Sequence, residues 1–205
     1  MASELRTRGR PTGLTGESLL AVARDVFLEK GYSGTSMEEI AKRARISKAS
    51  LYREHASKSE LYAAVVENWA AAGRDAMRPA LAELRGSADV RSGLLGLAAT
   101  MRTGILSPPV MAMRMLVTAE AAAHPDVAEG YLEQSWQRNI HNLAAALNEL
   151  AEAGHLRLED ADEAAEQFTW LVIGAPLNAR MLGGDAGDTP SITGAVDLFL
   201  ARYGA

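Results

Sequence analysis

Between Ser47 and Arg53 the chain sets out Lys48, Ala49, Ser50, Tyr52 and Arg53, cationic, hydroxyl-bearing or small groups interrupted by one strongly apolar side chain, Leu51. Such groups hydrogen-bond base edges and phosphate oxygens, and they suit a short helix entering a major groove. Flanking helices must position them, and the caps of those helices are legible. Thr35 or Ser36 can cap the preceding helix, each with a glutamate three residues on, Glu38 or Glu39, to close a capping box. Met37, Ile40, Ala41 and Ala44 follow at the spacing of one apolar stripe. That helix must stop near Arg45. Ile46 and Leu51 then bracket Ser47 as a hydrophobic staple, which makes the connection a helix-turn-helix. Ser57 with Glu60 caps the next helix, so the middle one spans only about residues 47–53. Upstream, Leu14 and Leu19 bracket a Thr15 cap, and Leu19, Ala23, Val26 and Phe27 form a face ending at the glycine stop Gly31-Tyr32. Three helices therefore share one small core. Ahead of them Arg6, Arg8 and Arg10 stand in an arm, residues 1–13, too polar to pack and suited to ordering on phosphate or in a minor groove.

Composition narrows the class. The 205 residues are 48% hydrophobic, ample for a buried core, and contain no cysteine, which excludes disulfides and thiolate metal sites. No apolar leader opens the chain and no window approaches the ~18 apolar residues of a membrane span, so a cytoplasmic location is expected. Net charge is −5, but residues 1–60 carry 11 basic against 8 acidic side chains and residues 61–205 carry 10 against 18. A basic head that meets phosphate and an acidic body that does not would produce that split. Catalytic motifs are missing: no Gly-rich phosphate loop, no Gly-x-Ser-x-Gly, no His-Glu-x-x-His. His124 near Glu120 and Asp126 is the one candidate metal cluster, and it spans a helix end. No enzyme activity, metal or cofactor is expected.

Ala23, Phe27, Gly31-Tyr32, Thr35-Ser36, Ile40-Ala41, Ala44, Ile46-Ser47 and Leu51-Tyr52, followed by Ser57-Lys58 and Glu60-Leu61, make a run that is similar to the DNA-binding domain of the TetR family of one-component transcriptional regulators. The resemblance implies an all-α protein of about nine helices, with a three-helix DNA-binding domain at 14–60 and a larger helical ligand-binding and dimerisation domain at 61–205. It implies a homodimeric repressor, released from an inverted-repeat operator by a small, mainly apolar inducer. An activator or a ligand-independent regulator of the same fold is the alternative, and a helical enzyme or interaction protein a more distant one. Carried over by position, Lys48, Ala49, Ser50, Tyr52 and Arg53 fall on the recognition helix, with Ser47 at its N-terminus. Thr35 or Ser36, Tyr52 and Lys58 fall where family members grip phosphate. Three positions depart from the family pattern. Arg45 stands where a turn glycine is common, so either it takes positive φ at a cost of order 1 kcal/mol or the turn differs from the family's, and its guanidinium is expected near the DNA backbone. Glu54 stands where a neutral or cationic contact is common and is read as structural or neutral, with pairing to Arg53 or reading of a cytosine N4 amine as the alternatives. His55 replaces a core aromatic and is read as packing under the recognition helix.

The rest reads as helices. Residues 59–85 form one nearly continuous helix of roughly 40 Å kinked at Pro79, followed by helices at about 89–105, 109–123, 126–153, 160–182 and 190–203. Gly183 to Pro190 is expected as a flexible loop. Five of eight methionines lie between 77 and 115, and methionine lines adaptable pockets. Because that region surrounds the inducer in the family, a pocket is expected from Trp69, Met77, Leu97, Met101, Met111, Met115, Tyr131, Trp136 and Ile140. Glu120 and His141 are expected to orient the ligand; the plain alternative for Glu120 is an ion pair with Arg114. Phe168, Leu171, Val172, Ala175, Val196, Phe199 and Leu200 make stripes broader than one body needs, and the family pairs such helices across a dimer.

Overall fold

A computed structural model describes residues 14–73, 75–184 and 191–205, and the chain divides into two compact units after Asn68. The arginine arm and most of the Gly183 to Pro190 loop lie outside the described residues. The first unit holds α1 (Glu17–Gly34), α2 (Met37–Arg43), α3 (Lys48–Glu54) and the first turns of α4 (Lys58–Gly73). Gly16 at φ 55°, not Thr15, precedes α1, and no side chain caps it. The helical path breaks at Gly31, where φ is 70°, a conformation that costs glycine nothing because it has no Cβ. Ser36 caps α2 by accepting from the Glu39 amide, Ser47 caps α3 by accepting from the Ser50 amide, and Ser57 accepts from the Glu60 amide. Arg45 sits at φ 58° between α2 and α3, as its place in a turn this short requires. Phe27, Ile40, Leu51 and Tyr62 are fully buried among these helices.

The second unit comprises the rest of α4, then α5 (Arg78–Arg85), α6 (Val90–Ile105), α7 (Pro108–Glu120), α8 (Pro125–Tyr131), a π-helical stretch (Leu132–Gln137), α9 (Arg138–Glu152), α10 (Ala161–Met181) and α11 (Ile192–Tyr203). The expected continuous helix over 59–85 is instead two helices. α4 stops at Gly73, residues 75–77 form a turn, and Pro79 lies in the first turn of α5, where a missing N–H breaks no bond. α8, the π stretch and α9 run on without interruption, so the helix expected at about 126–153 exists with one widened turn inside it. Among the described residues the sole β contact is an isolated bridge, Leu156 to Gly204.

α10 contains Pro176, which cannot donate to the carbonyl of Val172 four residues back. The Arg102 guanidinium of α6 fills that vacancy, its Nε donating to the Val172 oxygen at 2.8 Å. The stripes expected to pair across a dimer prove to be mostly core. Phe168, Val172, Val196 and Phe199 are all but inaccessible, with the Phe168 and Phe199 rings edge to face at 5.0 Å. Leu171 and Leu200 are half-buried and Ala175 is exposed. The outward faces of α10 and α11 carry Trp170 and Leu198 instead, 49% and 59% exposed.

Candidate nucleic-acid interface and ligand cavity

On α3 only Leu51 is buried; Lys48, Ala49, Tyr52 and Arg53 are exposed and Ser50 is half-buried. A seven-residue helix with one anchor leaves the rest of its surface for a partner, which is what base and phosphate contacts need. The Ser47 and Ser50 hydroxyls lie 2.9 Å apart at its N-terminus. Lys48 forms an ion pair with Glu38 of α2, and this hydrogen bond holds the Glu38 carboxyl below the usual carboxylate range. The Lys48 ammonium also stands 5.7 Å from the centre of the Tyr52 ring. Glu38 was expected only as a capping partner; nothing local in the sequence announces a contact ten residues away across a turn.

Two expected phosphate contacts face inward. Thr35 is 3% exposed, and its hydroxyl donates to the Gly31 carbonyl at 2.7 Å, which satisfies an acceptor freed where α1 breaks. Ser36 is the exposed member of that pair. Lys58 donates to the carbonyls of Tyr32 and Thr35 at 2.9 and 3.1 Å and lies 4.3 Å from the Tyr32 ring centre. Two of its three donors are thus committed inside the head. Arg45 is exposed. His55 caps α3 through its amide, which donates to the Leu51 carbonyl, and both Glu54 and His55 are half-buried.

In the second unit a cavity of about 300 Å³ gathers seven of the expected pocket residues: Trp69, Met77, Leu97, Met101, Tyr131, Trp136 and Ile140. The other four lie elsewhere. Met111 belongs to the packed core, Met115 is 47% exposed, and Glu120 sits at the C-terminal end of α7, its carbonyl accepting from the His124 amide. His141 is exposed, with Nδ1 2.8 Å from the Asp162 carboxylate. The Glu120–Arg114 ion pair is not formed. Sequence reasoning missed the polar members of the wall, among them Arg114, Ser135 and Asn139. The signal was periodicity: Val110 and Arg114 share one face of α7, with Ser107 at its N-cap, and Ser135, Trp136, Asn139, Ile140 and Leu143 recur at helical spacing. The Arg114 guanidinium lies 5.1 Å from the centre of the Trp136 ring. Burial raises the Tyr131 phenol above its usual range, with the Arg114 charge pulling the other way.

Comparison with known proteins agrees with both halves. Residues 19–65 match the sequence profile of bacterial regulatory proteins of the tetR family, and residues 92–205 match that of the AefR-like transcriptional repressor C-terminal domain. The transcriptional activator FasR of Mycolicibacterium smegmatis is 45% identical over 64 residues, 29% of each chain. The curated relatives are thus matched over less than a third of their length. Solved structures align over much more. A TetR-family regulator from Mesorhizobium loti superposes with a TM-score of 0.84 at 27% identity over 91% of this chain and 95% of that one. The flavonoid-responsive regulator FrrA superposes with a TM-score of 0.72 at 29% identity over the same shares. Since the C-terminal profile alone spans more than half of its residues, the chain belongs to the TetR family of DNA-binding transcriptional regulators.

Proposed function

We propose that this chain is a homodimeric repressor that holds an inverted-repeat operator and leaves it when a small, mainly apolar ligand enters the cavity of the second unit. The observation that carries the reading is the exposed polar face of α3 beyond its one anchor, Leu51. In the dimer each α3 enters a major groove about one helical turn, ~34 Å, from its mate. A ligand that binds better to a conformation with the wrong spacing shifts the population away from DNA. Residues 14–60 are the DNA-reading part and 61–205 the sensing and dimerising part. Dimerisation uses the exposed side of α10 and α11 around Trp170 and Leu198, so Leu198→Glu yields a folded monomer by analytical ultracentrifugation. A wild-type chain that is monomeric at micromolar concentration contradicts this arrangement. A cytoplasmic site of action is consistent with the described helices, none of which is long and apolar enough to cross a membrane.

A gel shift on the DNA flanking the chain's own gene tests the central claim. A sequence-specific complex at low salt is expected, and its absence overturns the reading. FasR, matched over the head, is named an activator, which favours activation as the second reading. A reporter under the bound promoter separates the two: deletion of the regulator raises transcription for a repressor and lowers it for an activator.

A further inference from the structure

The wall of the second-unit cavity is mostly apolar, yet it holds two buried polar atoms without a hydrogen-bond partner, the Nε of Arg114 and the Oδ1 of Asn139. Neither is a usual way to finish a protein interior. A guanidinium is charged at every accessible pH; Arg114 and Asn139 are half-buried as residues, but these two atoms are shut off from water, and a donor or acceptor so placed is costly unless something pairs with it. Among the described residues no carboxylate forms an ion pair with Arg114; its neighbours are the Trp136 indole, 5.1 Å away, and the buried phenol of Tyr131. Glu120, six residues on, lies roughly 120° round α7 from Arg114, so that helix presents no carboxylate beside the guanidinium. The π-helical stretch from Leu132 to Gln137 contributes Ser135 and Trp136 to the same wall, and single π turns gather at functional sites. Trp69 and Trp136 supply flat aromatic surface beside the two orphaned groups.

We propose that the ligand is an aromatic carboxylic acid bearing a hydroxyl group, bound with its carboxylate on Arg114, its ring against the indoles and its hydroxyl on Asn139. The assignment rests on the reading that this cavity is the ligand site, and it sharpens that reading from mainly apolar to anionic at one end. Each part answers an observation. A carboxylate accepts two parallel hydrogen bonds from a guanidinium, the pairing that arginine geometry favours. A hydroxyl both donates and accepts, so it satisfies the Asn139 amide whichever way the amide turns. At about 300 Å³ the space suits one small planar molecule and is at the lower end for ligand pockets in general.

Isothermal titration calorimetry of the full chain with 4-hydroxycinnamate, 3-hydroxybenzoate and 5-hydroxyindole-3-acetate, each beside its methyl ester, tests the class. The expected result is that at least one acid binds and that its ester, one methyl larger and uncharged, binds roughly tenfold or more weakly. Arg114→Met should abolish the preference of acid over ester. Arg114→Lys, which retains charge without the planar fork, should keep part of it. If an ester binds as well as its acid, the carboxylate assignment is overturned while the cavity stands as the ligand site. If neither acids nor esters bind, both fall. The wild-type comparison decides the matter even where Arg114→Met fails to fold. Since Trp69 and Trp136 both line the site, an acid held there must also change intrinsic tryptophan emission; a calorimetric signal without that change places the acid elsewhere and overturns the proposal.

Discussion

At the scale of single residues, the recognition helix is poised against an acid of its own. Lys48 pairs with Glu38, so on the proposed reading DNA competes with that carboxylate for the ammonium. Lys48→Ala is expected to weaken operator binding roughly tenfold more than binding to random DNA. Glu38→Gln should do the reverse and tighten DNA binding at low salt, an advantage that fades as salt screens the pair. Pairing lowers the Glu38 pKa, so the pair persists above the ordinary carboxylate range and is lost as pH falls through the depressed value. Gel shifts in an acidic series should therefore show wild type and Glu38→Gln converging. Lys58 belongs to a different class. With two carbonyls and an aromatic ring around it, Lys58→Ala should lower the stability of the head by about 1–3 kcal/mol in chemical denaturation. An unchanged unfolding midpoint with weakened DNA binding would return Lys58 to the phosphate contacts that sequence position assigns it.

At the scale of elements, what the sequence declares about a helix is where it starts and stops. Ser36, Ser47 and Ser57 each receive the amide that their spacing predicts, because a cap is a contact between residues three apart. Pro79 begins a helix where its spacing suggests a kink, for a related reason. Proline breaks a helix in its interior but fits its first turn, and only the end of α4 at Gly73 decides which applies. Pro176 is the interior case, and α10 survives it through Arg102. Arg102→Met should strand the Val172 carbonyl and cost about 1–3 kcal/mol of stability. Pro176→Ala restores an amide that can serve the same oxygen, so the double variant should recover most of that loss. A thermal-denaturation double-mutant cycle reads the coupling, and additive losses would show that the arginine does something else for α10.

At the scale of the whole molecule, the two sequence profiles and the structural neighbours describe a DNA-binding head joined to a helical regulatory body. If the body's ligand weakens operator binding by some factor, operator DNA must weaken ligand binding by the same factor, because the coupling is a single free energy. Titrating the ligand with and without saturating operator measures it from one side, and titrating operator with and without ligand measures it from the other. Unequal factors at equilibrium would mean that more than one binding mode is present. If the basic head makes the phosphate contacts, as proposed, operator affinity should also fall steeply with salt despite the chain's net charge of −5.

Sequence alone determined the helical fold, the helix-turn-helix and the family, since these rest on caps and apolar stripes whose partners lie within four residues. The family resemblance, together with the cluster of methionines, also pointed to seven residues that line the cavity. Only tertiary structure decided which way side chains with two options turn. Thr35 and Lys58 point inward, the α10 and α11 stripes are mostly the chain's own core, and Arg114 lines a cavity without a carboxylate partner among the described residues. Each choice depends on an element distant in the chain, and no spacing rule along one helix records what packs against it.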